Sequence, residues 1–89
     1  MKHYKICVLG LVQGVWFRKY TLEAALDYDL VGFVKNETDG SVFIEVEGKE
    51  VNLQPFLKWL HTGSPLSEVK EIKWEESDVI GYSKFEISR

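Results

Sequence analysis

Apolar residues along the chain follow two spacings, and each spacing predicts one kind of element. Alternation of apolar and polar residues is typical of strands, and it predicts strands at residues 3–9, 30–36, 41–47, 69–75 and 83–88. Apolar residues spaced three and four apart are typical of helices, and they predict helices at residues 17–28 and 50–62. Both kinds of element therefore contribute to the fold.

The order of these elements narrows the fold class. It reads βαββαβ with one additional short strand, which predicts an α+β ferredoxin-like sandwich with two helices on one face of an antiparallel sheet. The first strand has one wholly apolar face and one mixed face, so we expect it at the centre of the sheet. Gly63 is expected to end the second helix, and Asn52 to cap its start.

The length and composition of the chain limit the number of domains and the cellular location that we expect. The chain has 89 residues, of which 45% are hydrophobic, enough for one core and too few for two. We therefore expect a single domain over residues 1–89. No basic N-terminal region precedes a long apolar stretch, and no apolar run approaches the roughly 20 residues that cross a bilayer. A cytoplasmic location without membrane contact is the expected default.

Charge and metal-binding residues argue against several function classes. The formal net charge is −3 and the Lys and Arg residues are dispersed, whereas nucleic-acid binding relies on clustered cations. The soft metal ligands Cys7, His3 and His61 are spread across the chain without paired spacing. We expect no nucleic-acid partner, no metal and no organic cofactor.

The segment from Gly10 to Arg18, G-L-V-Q-G-V-W-F-R, connects the first strand to the first helix. A loop at this position directs backbone N–H groups and the positive end of the helix dipole at an anion. Gly14 can adopt a positive φ, and Arg18 adds a planar donor fork for two phosphate oxygens. A cation in the first helical turn opposes the dipole unless an anion offsets it, which favours a binding role. Lys19 and Lys35 would add positive potential.

A second segment, Gly32 to Val42, reads G-F-V-K-N-E-T-D-G-S-V and predicts a hairpin with Asp39-Gly40 at its tip. Asn36 stands where the first strand of this hairpin meets the turn. Asn often bonds its own backbone in turns. On these residues alone, a turn role for Asn36 is favoured over a catalytic one.

Together the two segments resemble the acylphosphatase family, whose pattern is G-x-V-Q-G-V-x-F-R followed by G-[WF]-V-[RK]-N-x-x-D-G. The later segment Gly63 to Val69 and the closing Phe85-Glu86-Ile87 also resemble that family, so the resemblance covers nearly the whole chain. It implies the ferredoxin-like fold. It also implies hydrolysis of a small-molecule acyl phosphate to a carboxylate and inorganic phosphate.

The resemblance further implies roles for individual residues. Arg18 would bind the substrate phosphate and Asn36 would orient the attacking water, which makes these two the expected catalytic residues. An acyl phosphate has a good leaving group, so a positioned water and stabilised charge suffice without a side-chain nucleophile. Trp16 is expected to shield the edge of the site from water. The expected substrate-binding residues are Gln13, Gly14, Val15, Trp16, Phe17 and Arg18.

Three positions depart from the family pattern. Leu11 and Lys35 stand where Arg is common, and Phe43 stands where Glu is common. Because Leu11 removes a cation near the loop, we expect phosphate binding weaker by up to about 1 kcal/mol than in relatives that keep it. Inorganic phosphate is nevertheless expected to compete with substrate, and the chain is expected to act as a monomer.

Two other functions stay open beside a free-standing acylphosphatase. One is an acylphosphatase-like module without catalysis of its own, because the same domain occurs in larger carbamoyl-phosphate-handling maturation proteins. The other is a small-molecule sensor that dimerises through its sheet. Since nothing flanks the domain in this sequence, the free-standing enzyme is the leading interpretation.

Overall fold

The structure of the chain is a computed structural model that describes residues 1–88. Every predicted element is present, with boundaries that differ by a few residues. In chain order the elements are β1 (Lys2–Leu11), α1 (Phe17–Asp27), β2 (Val31–Asn36), β3 (Val42–Gly48), α2 (Glu50–Thr62), β4 (Glu68–Ser77) and β5 (Phe85–Ile87).

The strands form a five-stranded sheet in the order β4-β1-β3-β2-β5. The predicted α+β class is confirmed, and β1 lies inside the sheet as expected because it pairs with both β3 and β4. The sheet is mixed rather than wholly antiparallel, since β5 runs parallel to β2. The reason is topological: β4 and β5 lie at opposite edges, so the chain crosses the sheet before β5 begins beside β2.

The core lies between one face of the sheet and the two helices. Burying an aliphatic or aromatic side chain of this kind contributes about 1.5–3 kcal/mol. Alternate residues of the central strands supply one side of the core, and one stripe of α2 supplies much of the other. These residues are Tyr4, Ile6 and Val8 of β1, Val42, Ile44 and Val46 of β3, and Leu53, Phe56, Leu57 and Leu60 of α2.

The ends of α2 differ in how well the sequence predicted them. The helix begins at Glu50, after an N-cap at Lys49 that makes no side-chain capping bond, so the prediction that Asn52 caps it is wrong. Gly63 ends the helix as predicted, with φ of 66°. A Cβ at Gly63 would lie 2.9 Å from a ring carbon of Phe17. Glycine thus lets the end of α2 pack against the start of α1.

The second face of the sheet carries no helix. Residues 78–84, between β4 and β5, contact this face through Glu47 on β3.

No helix within residues 1–88 is long and apolar enough to span a membrane.

Candidate active site

A cavity of about 570 Å³ opens where three strands end. Strands β1 and β2 are both antiparallel to β3, and β5 is parallel to β2, so β1, β2 and β5 have their C-terminal ends at the same end of the sheet. This end of the sheet faces the loop that leads into α1. The cavity is lined by Val12, Gly14, Trp16, Phe17, Arg18, Lys19, Asn36 and Ile87.

Residues 12–16 form the loop that we call the cradle loop. Gly14 has φ of 74° and Trp16, the N-cap of α1, has φ of 63°. A positive φ is an outlier for a bulky residue and is found where surrounding structure enforces it. Within residues 1–88, the backbone N–H groups of positions 14–18 donate to no acceptor. Unpaired N–H groups at a helix N-terminus are suited to an anion.

Arg18 lies in the first turn of α1 and lines the cavity. Its side chain forms no ion pair or hydrogen bond with any residue of the described chain, and the first turn of α1 has no acidic residue. The guanidinium therefore opposes the positive end of the helix without a partner within residues 1–88. Its charge is available to an anion in the cavity.

Asn36 is the last residue of β2, and it lines the same cavity. Its Oδ1 atom is buried and has no hydrogen-bond partner within residues 1–88. A buried acceptor without a partner costs about 1–3 kcal/mol, so such an atom calls for a ligand or water. The turn role that the sequence alone favoured is not what Oδ1 does here. Asp39 has that role instead, since its Oδ1 accepts from the N–H and the hydroxyl of Ser41 at 2.9 and 2.6 Å.

Two of the expected substrate-binding residues do not line the cavity. Nε2 of Gln13 donates to the backbone carbonyls of Glu37 and Ser41, at 2.8 Å each. The carbonyl of Val15 accepts a hydrogen bond of 2.7 Å from the hydroxyl of Ser64. The side chain of Gln13 thus ties the cradle loop to the β2–β3 hairpin, and Val15 ties it to the end of α2. The other expected residues, Gly14, Trp16, Phe17 and Arg18, line the cavity together with Asn36.

The positive potential has fewer sources than the sequence suggested. Lys19 lines the cavity, and its Nζ lies 5.7 Å from the ring centroid of Trp16. Lys35 does not line it, because its side chain lies on the other face of β2, 3.6 Å from Glu37 and 5.7 Å from the ring centroid of Phe43. Alternation along a strand explains this, since neighbours Lys35 and Asn36 point to opposite faces.

The sequence did not identify Ile87 or Ser64 as site residues. Ile87 lines the cavity from β5 and is 38% exposed, and Ser64 holds the cradle loop through Val15. Both lie in segments that resemble the family, which was the available signal. Nothing in their spacing indicated proximity, because β5 reaches the cavity only through its pairing with β2.

The fold and the cavity define an α+β sandwich with a cavity between the cradle loop and the C-terminal ends of three strands. A family model described as Acylphosphatase matches residues 4–87. An acylphosphatase from Bacillus licheniformis is 45% identical over 89 residues, which cover 99% of this chain and 99% of the relative. The crystal structure of acylphosphatase from Bacillus subtilis matches with a TM-score of 0.98 and 42% identity, over 100% of each chain.

The chain therefore belongs to the acylphosphatase family, whose members are hydrolases that act on acyl phosphates. The domain is also similar to part of a larger protein. Full-length HypF, solved in a phosphate- and nucleotide-bound form, matches with a TM-score of 0.89 and 32% identity. That match covers 99% of this chain but 12% of HypF.

Proposed function

We propose that the chain hydrolyses the carboxyl–phosphate bond of acyl phosphates in this cavity, with Arg18 and Asn36 as its catalytic residues. The observation that carries this proposal is that one cavity is lined by Arg18, whose guanidinium has no partner within residues 1–88, and by Asn36, whose Oδ1 is buried without a partner in the same residues. One is suited to a phosphate and the other to a water.

The phosphoryl group binds to Arg18 and to the N–H groups at the start of α1. The guanidinium presents a planar fork that matches two phosphoryl oxygens. The unpaired N–H groups of positions 14–18 add donors, and the α1 dipole adds positive potential. Together they stabilise the charge that spreads over the equatorial oxygens in the transition state. This binding also makes inorganic phosphate a competitive inhibitor.

The attacking water is oriented by Asn36. The side-chain amide of Asn36 forms a hydrogen bond with the water, which directs an oxygen lone pair at phosphorus. As the water oxygen bonds to phosphorus, the P–O bond to the carboxylate breaks, and the water protons stay on the phosphate that is released. Because such a transition state is loose, the water needs little activation and a neutral amide suffices in place of a general base. Among residues 1–88 the lining includes no carboxylate, and carboxylate oxygens are what Mg²⁺ prefers. The cradle loop and Arg18 therefore supply the charge stabilisation without a metal or organic cofactor.

The acyl group lies against the apolar part of the lining. Trp16 is 68% exposed and Ile87 38% exposed, so both present apolar surface at the cavity. A phosphate alone would leave that surface in water, whereas an acyl group would cover it.

We place the enzyme in the cytoplasm as a single-domain monomer.

Turnover of benzoyl phosphate tests the proposal, with release of inorganic phosphate as the measurement. We expect activity that survives EDTA and is inhibited competitively by inorganic phosphate. Arg18→Ala should weaken phosphate binding and turnover together, whereas Lys58→Ala, an exposed cation on α2, should change neither. Loss of activity in EDTA with recovery on adding a divalent ion would contradict the mechanism.

The likeness to HypF favours a second candidate, in which the same cavity acts only as a module of a larger protein. Absence of turnover by the folded chain, combined with intact phosphate binding, would favour that candidate. Absence of both would favour the sensor interpretation.

A further inference from the structure

The connection between β4 and β5 crosses the whole sheet. These strands lie at opposite edges, so residues 78–84 span four strand spacings of about 4.8 Å, or about 19 Å in all. Ser77 pairs with His3 and Phe85 with Gly32, which puts both ends of the connection at the same end of the sheet. The eight residue steps between them reach at most about 28 Å. This crossing segment therefore has limited slack.

A buried pair lies under the middle of the crossing segment. His3 of β1 and Glu47 of β3 are each 0% exposed, and they are register partners in the sheet. Nδ1 of His3 is 2.6 Å from Oε2 of Glu47, and Nε2 is 2.8 Å from Oε1 of Glu45. Both ring nitrogens thus face carboxylate oxygens. The pair lies on the face of the sheet without helices, since its chain neighbours Tyr4 and Val46 are in the core.

Glu47 binds the crossing segment through three consecutive backbone N–H groups. The N–H groups of Gly81 and Tyr82 donate to Oε1 at 3.0 and 3.2 Å, and that of Ile80 donates to Oε2. Burial raises the pKa of the Glu47 carboxyl, but the hydrogen bonds from these amides and from His3 outweigh it and hold the pKa below its ordinary value. The carboxylate is therefore an anchor for the segment.

Tyr82 adds a second contact between the segment and the sheet. Its hydroxyl lies 3.4 Å from Oε1 of Glu45, and its ring packs 5.9 Å from the rings of His3 and Phe33. Three residues later the chain enters β5 at Phe85, which is buried in the core. Strand β5 itself is three residues long, lies at the edge of the sheet and is held there by its parallel pairing with β2.

The anchor and the cavity are joined by this short strand. The crossing segment ends at Lys84, whose carbonyl accepts from the N–H of Gly32 at 2.9 Å. Ile87, at the far end of β5, lines the cavity. Because the segment has limited slack, fixing its middle on Glu47 adds to the pairing with β2 in restricting where β5 begins and hence where Ile87 lies.

We propose that His3 and Glu47 are positioning residues that anchor the crossing segment and thereby set the Ile87 wall of the cavity. The inference rests on the proposed function, since the wall matters only if an acyl group lies against it. The phosphate end of the cavity is built from the cradle loop, the first turn of α1 and Asn36 at the end of β2, so we expect it not to depend on this anchor.

Glu47→Gln tests the anchor, with Glu75→Gln as the matched control on the exposed edge strand β4. The amide keeps one acceptor oxygen and puts an NH₂ group in place of the other, so at least one of the hydrogen bonds from the N–H groups of positions 80–82 is lost and the remaining ones lose the charge of the acceptor. We expect hydrogen exchange of those amides to accelerate on the order of tenfold or more, with exchange in β1 and β3 much less affected. The control should exchange like the wild type.

Kinetics test whether the anchor positions the wall. In Glu47→Gln we expect KM for benzoyl phosphate to rise severalfold while kcat stays within about twofold, the pattern of lost uniform binding. The inhibition constant of inorganic phosphate should not change. A general loss of structure would instead lower kcat and weaken the binding of inorganic phosphate together.

Gly81→Pro provides a second test if Glu47→Gln fails to fold. Proline removes the Gly81 N–H and cannot adopt its φ of 94°, while His3 and Glu47 stay paired. The same rise in KM is expected. An unchanged KM in a folded variant whose amides exchange faster would overturn the positioning role, as would unaltered exchange in both variants. If the wild-type chain itself fails to hydrolyse benzoyl phosphate, that result contradicts the proposed function and with it the positioning role.

Discussion

Arg18→Ala should make the chain more stable without phosphate and less stable with it. Arg18 lies in the first turn of α1, where it has no ion pair within residues 1–88 and opposes the helix dipole. Removing such a cation, and replacing it with a better helix former, gains about 0.5–1 kcal/mol. For a domain of this size that raises Tm by about 2–8 °C.

In the presence of phosphate, the wild type should instead be more stable than Arg18→Ala. At 100 times its dissociation constant, a ligand that binds only the folded state adds about 2.7 kcal/mol, which corresponds to about 11–22 °C in Tm. The wild type should gain this amount. The Arg18→Ala variant should gain little, because it lacks the guanidinium that faces the cavity.

Thermal unfolding followed by circular dichroism, in a buffer free of phosphate and then with added phosphate at matched ionic strength, measures both effects. Lys58→Ala should keep the wild-type gain, since Lys58 is exposed on α2 and does not line the cavity. If Arg18→Ala is markedly less stable than the wild type in the absence of anions, Arg18 has a structural role. If its gain from phosphate equals that of the wild type, the anion binds elsewhere.

Three further predictions follow from single contacts. Gln13→Ala should lower the free energy of unfolding by about 1–3 kcal/mol and weaken phosphate inhibition, because two hydrogen bonds between the cradle loop and the hairpin are lost, although each hairpin carbonyl keeps a backbone donor. Denaturant titration and inhibition kinetics measure these effects. Glu47 stabilises the fold above its ordinary pKa of 4.5, and that contribution is lost as pH falls through its lower folded-state pKa. The stability difference between wild type and Glu47→Gln, from denaturant titrations at several pH values, should therefore shrink below about pH 4.5. Leu11→Arg should lower the inhibition constant of phosphate by no more than about fivefold. An unchanged inhibition constant would show that Leu11 does not weaken phosphate binding.

Local patterns were enough to predict most of the fold. Alternation and helical spacing gave all seven elements, and Gly63 gave the end of α2. Those signals are local, because each depends on a few neighbouring residues and on one buried face. The cradle loop and Arg18 were predictable for the same reason, as the strand, the loop and the helix are continuous in sequence.

Features that depend on distant segments were not predictable. Alternation along β3 indicates that Glu45 and Glu47 face water, yet Glu47 is 0% exposed because the crossing segment covers it. Neither the parallel pairing of β5 nor the place of Ile87 can be derived without the strand order. For Asn36 the residues favoured a turn role, and only the tertiary structure reveals that its Oδ1 is buried without a partner within residues 1–88.

The most direct test of the central claim is the effect of Asn36→Ala on two quantities, turnover of benzoyl phosphate and inhibition by inorganic phosphate. Asn52→Ala, which changes an Asn on α2 outside the cavity lining, is the matched control. We predict that Asn36→Ala folds, keeps the inhibition constant of phosphate within about twofold, and loses turnover by on the order of 10²-fold or more, as when one preorganised polar group is removed. A folded Asn36→Ala protein that binds phosphate normally and retains full turnover would contradict the claim that Asn36 orients the attacking water.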